Sequence, residues 1–389
     1  MKKTIAKLMA VIMAVGMLVC CFSFAAFAEE APALDGTWPE ETVKIGVEVY
    51  DTTDEQLLAI QEYFDYLEEH FNVEFMYSES ILDAEGELDF VNRCADAGCK
   101  AFFGYYNLGL ADTINACTDR GMYYVGTGDA YDDVIDNPYY LGCYKLTAEV
   151  NGEEVNGDYY GGYLLGKAIA ESGCEHVMYC NGGAAFVQFF KDRQEGFLQG
   201  LKDGGYENFN EETDILEGFP EGDEWFIAQA QMLAQDYDAV ASSFNIALFF
   251  QAEGERLGAG EEPFAMAAIG EVSDTYKDFM DMGTINALVY DCEELVFGCH
   301  FAMIMNAVLG NQELSQNEDG TPLRLPVERW LITTPEEFDA VYDFHADGNF
   351  FASAEQVASV IKAYNPEATL EDEIALYKQS LEQALENIQ

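Results

Sequence analysis

The sequence predicts an α/β protein with two doubly wound, parallel-sheet lobes, a three-segment hinge between them and a helical C-terminal extension. Three observations predict this fold class. Short β-rich runs alternate with amphipathic helical runs, which is typical of a parallel sheet covered on both faces. The alternation restarts after a polar run at residues 149–158, and 389 residues suffice for two lobes at about 150 residues each. The last hundred residues are mainly helical in pattern.

The first strand and helix show the repeating unit. Residues 43–50 alternate in hydrophobicity, and Thr53 or Asp54 can cap the next helix, whose apolar residues recur at three- and four-residue spacing. An extended stretch is predicted at 322–330, and a single amphipathic helix at 370–388. Further strands are predicted near residues 73–77, 101–103, 122–125, 139–145, 176–179, 214–216, 238–241, 265–269 and 286–290.

The first 28 residues have the pattern of a signal peptide. A basic start precedes the apolar run at residues 8–24, and Ala26-Phe27-Ala28 is a small-x-small cleavage signal. The protein is therefore expected to be exported, to the cell envelope or beyond. Cys20 or Cys21 offers a lipid anchor as an alternative, although neither follows Gly, Ala or Ser.

The restart of the pattern sets the domain boundaries. The N-terminal lobe is predicted to contain residues 43–149 plus 292–322. The C-terminal lobe is predicted to contain 150–291 plus 323–389, including the helical extension. The chain then crosses between the lobes three times, near residues 147–150, 291–293 and 322–327.

Charge and motif content exclude several classes of function. With 18 Lys and Arg against 72 Asp and Glu, the formal charge is −54, and such a chain repels phosphate backbones. None of the four histidines stands in a nucleophile–base pattern, and no nucleotide-binding loop is present, so we expect neither catalysis nor a cofactor. Cys292 and Cys299 beside His300 lack a second ligand cluster, and the later cysteines are expected mainly in the core, so no metal site is predicted.

Aromatic, amide and carboxylate side chains follow the predicted strands. Ligands of open parallel sheets bind beyond the carboxyl ends of the strands. Aromatic faces pack on the apolar faces of sugar rings, while amides and carboxylates bond to hydroxyls. The predicted ligand contacts are Tyr50, Asp51, Thr53, Tyr105, Asn107, Asp129, Trp225, Phe244, Asn245, Glu271 and Asp291.

The order of several segments resembles the type I periplasmic solute-binding proteins of bacterial ABC transporters, in the ribose- and galactose-binding branch. The resemblance covers roughly residues 43–311. It is carried by the strand at 43–50 with its loop, by Arg193-Gln194-Glu195-Gly196-Phe197, and by residues 98–103, 121–125, 236–240 and 282–287.

This resemblance implies roles for individual residues. The family's ligand arginine in the second lobe falls on Lys191, which becomes a predicted ligand contact, whereas Arg193 is expected to be structural. The family's loop aspartate falls on Glu271, and its hinge-side glutamine falls on Asp291. Lysine lacks the two-pronged guanidinium that grips neighbouring hydroxyls, so ribose itself does not follow.

The resemblance implies a monomeric binding protein that captures a small polar ligand in the interlobe cleft. A sugar or polyol is expected, delivered by hinge closure to an ABC permease. Two alternatives are a receptor that presents its closed form to a membrane signalling protein and, less favoured by the motifs, an extracellular hydrolase.

Overall fold

The structure is a computed structural model. It describes residues 31–388 except 50, 51, 54, 82, 106–108, 128–133, 186 and 221, and it leaves out the side chains of 55 and 145–147. The predicted signal peptide and the possible anchor cysteines lie outside the described residues.

The first sheet has the strand order β12-β5-β4-β3-β1-β2. Its strands pair in parallel, and β6 alone is antiparallel, against β5. The sheet contains β1 (Val43–Val47), β2 (Val73–Tyr77), β3 (Ala101–Gly104), β4 (Tyr123–Gly126), β5 (Tyr140–Val150), β6 (Glu153–Asn156) and β12 (Leu323–Val327).

The second sheet has the corresponding order β13-β11-β10-β9-β7-β8. All its pairs are parallel except β11 with β13. It contains β7 (Val177–Asn181), β8 (Ile215–Glu217), β9 (Ala239–Ser242), β10 (Ala265–Ile269), β11 (Ile285–Tyr290) and β13 (Trp330–Ile332).

Helices cover both faces of each sheet, because the strands are apolar on both sides. On the first sheet α1 and α9 pack on one face and α2 and α3 on the other, while on the second sheet α4 and α5 oppose α6, α7 and α8. The predicted fold class is thus confirmed. These helices are α1 (Glu55–His70), α2 (Ala84–Asp96), α3 (Leu110–Asp119), α4 (Gly157–Glu171), α5 (Gln188–Asp203), α6 (Gly222–Leu233), α7 (Phe250–Gly258), α8 (Asp274–Asp281) and α9 (Glu293–Val308).

Between the lobes the chain crosses at three places. The first is the hairpin of β5 and β6, which leads from the first sheet into α4. The second is residues 291–292, between β11 and α9, and the third is residues 328–329, between β12 and β13. Placing the third crossing at 322–327 was wrong, because residues 323–327 pair with β5 as a strand of the first sheet.

The sequence predicts that all the C-terminal helices belong to the second lobe, but the structure divides them between the two lobes. They are α10 (Pro335–Ala346), α11 (Ala354–Val360), α12 (Leu370–Tyr377) and α13 (Leu381–Asn387). While α10 packs on α8 of the second lobe, α11 and α12 pack on α9 of the first. The single helix predicted at 370–388 is two, because Ser380 starts a new one by accepting from the Gln383 N–H in a capping box.

The polar run at residues 149–158 forms most of the β5–β6 hairpin and the start of α4. Val150 pairs with Glu153 across a two-residue turn of Asn151 and Gly152. Both turn residues have positive φ, 54° and 85°, as such a tight hairpin turn requires.

Within the described part of the chain, no helix combines the length and the apolar composition that crossing a membrane requires.

Candidate functional site

A cluster of phenylalanine rings lies at the carboxyl edge of the second sheet. Phe190 stands at the start of α5, Phe219 follows β8, and Phe244 follows β9. Their ring centroids lie 5.5–5.8 Å apart, and Phe189 adds a fourth ring 4.3 Å from Phe190. The rings of Phe189 and Phe219 are exposed, so this edge presents an apolar surface where ligands of parallel sheets bind.

Arg193 adds a positive charge to this ring cluster. It lies one turn beyond Phe190 on α5, and its guanidinium carbon is 5.0 and 5.5 Å from the ring centroids of Phe189 and Phe190. Its Nε donates to Asp158 Oδ1 at 2.8 Å, and Nη1 donates to the Ser243 carbonyl at 2.7 Å. The guanidinium is therefore fixed in direction, and it is shared between α4, α5 and the loop after β9.

Buried polar side chains hold the same loops in place. Asn181, at the end of β7, donates to Gln194 Oε1 at 3.1 Å and accepts from the Ser243 hydroxyl at 2.9 Å. Because these bonds connect β7, α5 and the loop after β9, the ring cluster has a rigid support.

Glycines determine how closely α5 approaches α4. A Cβ on Gly162 would lie 1.9 Å from the Arg193 carbonyl oxygen, and a Cβ on Gly196 would lie 1.9 Å from the Tyr159 carbonyl oxygen. Gly166 and Gly200 repeat this arrangement one turn further on, each at 2.1 Å from a backbone oxygen. The two helices thus meet backbone to backbone, and this contact sets the position of Phe190 and Arg193.

On the first lobe, a chain of hydrogen bonds leads from the sheet edge to the hinge. The Tyr105 hydroxyl, just after β3, donates to Gln56 Oε1, and Gln56 Nε2 donates to Glu293 Oε1. Thr127, after β4, donates to the Tyr105 carbonyl at 2.8 Å. These contacts bring the ends of β3 and β4 next to the second crossing.

Acidic side chains meet at that crossing. Glu293 is buried, and its burial together with the nearby charges of Glu271 and Asp291 raises its pKa well above the usual range, although the Gln56 bond acts against this shift. Glu271 follows β10 of the second lobe, so its influence on Glu293 connects the two lobes. Asp291 is paired with Arg329 through two bonds of 2.5 Å.

The structure separates the predicted ligand contacts into groups. Tyr50, Asp51, Asn107 and Asp129 lie outside the described residues. Glu271 and Asp291 lie near Glu293 at the second crossing, and Tyr105 is linked to Glu293 through Gln56. Phe244 lies in the ring cluster. Thr53 is exposed at the start of α1.

Three other predicted contacts have partners within the protein, and the roles of all three in ligand binding stay predictions. Trp225 is buried, and its indole N–H donates to the Gly218 carbonyl at 3.0 Å. Asn245 caps the short 3₁₀ helix Ile246–Phe249 by accepting from the Ala247 N–H at 2.9 Å. Lys191 is exposed and lies 3.7 Å from Glu195 one turn along α5. Its role in ligand binding stays a prediction.

Sequence reasoning did not select Phe189, Phe190, Phe219 or Arg193 as ligand contacts. A signal was present, because Phe-Phe is followed three residues later by Arg at the start of a helix after β7. The resemblance pointed to Lys191, but the helical face that turns towards the rings is the one that carries Arg193.

No metal-binding group is found among the described residues: no three His, Cys, Asp or Glu side chains come together in a suitable arrangement. The eight described cysteines have free thiols, and all except Cys174 are buried, in line with their expected place in the core.

Two lobes, matching strand orders and three crossings define the fold of type I periplasmic binding proteins. Solved structures with this fold include an ABC transporter solute-binding protein from Bacillus halodurans C-125 with bound myo-inositol. It has a TM-score of 0.56 and 15% identity, and the match covers 77% of this chain and 97% of that one. A periplasmic solute-binding protein from Actinobacillus succinogenes 130z with bound D-allose has a TM-score of 0.58 and 12% identity, covering 76% and 99%.

The fold is also shared with transcription regulators. The transcription regulator CcpA of Lactococcus lactis has a TM-score of 0.54 and 13% identity, with coverage of 75% of this chain and 98% of that one. No protein-family model matches the sequence, and no curated protein matches it either. The predicted resemblance is therefore confirmed at the level of the fold.

Proposed function

We propose that this protein is an exported binding protein that captures a small polar ligand, a sugar or polyol, between its lobes and delivers it to an ABC importer. The observation that carries the proposal is the ring cluster with Arg193 at the carboxyl edge of the second sheet. Solute-binding proteins of the same fold hold myo-inositol and D-allose, which are ligands of this class.

The chemistry of the site suits such a ligand. The exposed faces of Phe189 and Phe219 can cover the C–H face of a sugar ring, and the guanidinium of Arg193 can donate to its hydroxyls. Tyr105 and Glu271 supply polar groups on the opposite, hinge side. A ligand that contacts both lobes stabilises the closed form, which a permease then recognises.

The alternatives fit less well. Transcription regulators share this fold, but a formal charge of −54 makes this chain a poor candidate for a nucleic-acid partner, because it opposes any approach to a phosphate backbone. The proposal needs no covalent step, so we infer a binding protein and not an enzyme.

A thermal-shift screen against sugars, polyols, nucleosides and amino acids tests the ligand class. A compound that binds only the folded state raises the melting temperature by mass action. At a concentration of one hundred times its Kd, it adds about 2.7 kcal/mol to the free energy of unfolding. Myo-inositol and D-allose serve as the first probes. A shift given by nucleosides or amino acids alone would contradict the sugar assignment.

A matched pair of phenylalanine variants tests the site. Phe219 is 44% exposed in the ring cluster, and Phe226 is 48% exposed on α6, outside it. We expect Phe219→Ala to weaken binding of the compound found in the screen by about tenfold or more, at 1.4 kcal/mol per tenfold, and Phe226→Ala to leave it unchanged. Equal affinities for the two variants would place the ligand elsewhere.

A second pair decides between the two cations of α5. The sequence favours Lys191 as the ligand contact, and the geometry favours Arg193. Arg193→Gln should therefore weaken binding by more than Lys191→Ala, with circular dichroism as the control for folding. The reverse order would restore the role that the resemblance gives to Lys191.

A further inference from the structure

One arginine joins the three segments that cross between the lobes. Arg329 is itself in the third crossing, between β12 and β13. Asp291 is in the second crossing, between β11 and α9, and Gly157 is the first residue of α4, directly after the first crossing.

The guanidinium of Arg329 bonds to both of the other segments. Its Nε and Nη2 donate to the two carboxylate oxygens of Asp291 at 2.5 Å each, and Nη1 donates to the Gly157 carbonyl oxygen at 2.5 Å. The side chain of Arg329 is only 3% exposed, and that of Asp291 is 18% exposed. This is a bidentate pair with a buried guanidinium, and such pairs are both strong and directional.

Helix α4 has no room for a side chain at position 161, because the Arg329 guanidinium occupies that space. A Cβ on Gly161, one turn into α4, would lie 2.3 Å from Arg329 Nη1. The absence of a side chain at position 161 is thus required for the guanidinium to reach Gly157.

The charged groups named around the Arg329 guanidinium are acidic. Asp158 and Asp291 act on the Arg329 guanidinium, and Asp291 also acts on Glu293, which lies in turn near Glu271. Removing Arg329 would leave the Asp291 carboxylate without its cation, in the crossing segment and near Asp158 and Glu293. A buried pair that loses one partner leaves an uncompensated charge, and here that charge would disturb the arrangement of the crossing segments.

We propose that Arg329 is a positioning residue that locks the three crossing segments into one arrangement, and that Asp291 serves this lock instead of contacting the ligand. Lobe rotation would then take place around one fixed point, not by separate bending of three strands. The proposal does not depend on the identity of a ligand or on ligand binding, since the lock is formed by the chain itself.

Small-angle scattering of the ligand-free protein, combined with hydrogen exchange, tests the lock. Arg329→Met removes the guanidinium, and Gly161→Ala displaces it while keeping its charge. Gly254→Ala is the matched control, because Gly254 is also helical but has nothing within 4 Å of its Cβ position. Arg256→Met is a second control, since it breaks an Arg–Glu pair within one lobe.

We expect both lock variants to increase the radius of gyration by about 1 Å from a compact value of about 20 Å. Amide exchange at residues 289–293 and 328–332 should become about tenfold faster. Both controls should match the native protein. If Arg329→Met does not fold, Gly161→Ala decides the question alone. Folded lock variants with native scattering and native exchange would overturn the proposal.

Discussion

The two lobes share a strand order but use opposite means to hold helices on their sheets. In the second lobe, α4 and α5 meet through Gly162, Gly166, Gly196 and Gly200, with backbone touching backbone. In the first lobe, large rings make the contacts: Phe64 of α1 stacks on Phe75 of β2 at 4.2 Å and lies 5.9 Å from Phe297 of α9.

This difference indicates that the second lobe holds its helices more rigidly than the first. Side chains can change rotamer to fill or relieve space, whereas backbone atoms in helices cannot. The helix that supports Phe190 and Arg193 is therefore the one with the least freedom to shift. An added methyl group in the second lobe should consequently be more harmful than a trimmed ring in the first.

The largest effect is expected from Gly196→Ala. Its Cβ would lie 1.9 Å from the Tyr159 carbonyl oxygen, so α5 must move away from α4. We expect a loss of about 3 kcal/mol or more in the free energy of unfolding, measured by urea denaturation. A loss below 1 kcal/mol would show that the helix pair is adaptable after all.

A smaller loss is expected from Phe64→Leu in the first lobe. The ring is buried, but it is surrounded by other rings that can shift towards the space it leaves. We expect a loss of about 1–2 kcal/mol in the same measurement. If Phe64→Leu destabilised the protein more than Gly196→Ala, the comparison of the lobes would be reversed.

A third effect concerns a buried carboxyl group in the first lobe. Glu373 on α12 is fully buried, neither of its side-chain oxygens has a partner, and burial raises its pKa well above the usual range. The folded state therefore keeps this proton at a pH where the unfolded state has lost it. Stability consequently falls as the pH rises above the ordinary glutamate pKa towards the raised one.

Replacing this group by an amide removes the dependence. Glu373→Gln should be more stable than the native protein by about 1 kcal/mol at pH 8, and the gain should shrink towards pH 5. Buried Glu253 in the second lobe accepts the Phe264 N–H at 3.1 Å, so Glu253→Gln should gain less. Melting temperatures across this pH range check both variants, and a pH-independent gain for Glu373→Gln would contradict the explanation.

The smallest effect is expected from Gly254→Ala on α7. Outside the backbone of its own helix, nothing lies within 4 Å of its Cβ position, and alanine favours a helix over glycine by about 0.5–1 kcal/mol. A gain of that size would show that glycine is costly where no backbone approaches it. A loss would mean that α7 has a contact partner outside the folded monomer.

The fold was predictable because local patterns determine it. Each strand of the alternating region is apolar, and each helix has one apolar face, so the layers follow from the order of elements. The sheet to which β12 belongs was not predictable in this way, because residues 323–327 could pair with either sheet. Only the tertiary pairing with β5 decides it. Ser380 and Gln383 form a capping box that marks the start of the last helix. The apolar stripe continues across this position, so the sequence predicts one helix there instead of two.

The sequence indicated the sheet edge at which the candidate site lies, but it did not indicate the ring cluster found there. Strand ends fixed the edge at which polar and aromatic residues gather. Whether Lys191 or Arg193 turns towards the rings depends on how α5 rotates against α4, which the glycine contacts determine. Trp225 was selected by its position after β8, yet its ring is needed in the core, where Gly218 accepts its N–H.

The β5–β6 hairpin has a practical use. One arm continues a strand of the first sheet, and the other leads straight into α4 of the second lobe, while the turn at Asn151 and Gly152 is exposed. Exposed loop tips accept inserted domains well. A circularly permuted fluorescent protein placed between these two residues would sit on a crossing segment, where the proposed lobe rotation would change the strain on its ends. The hairpin turn is thus an attachment point for an optical test of the proposed closure.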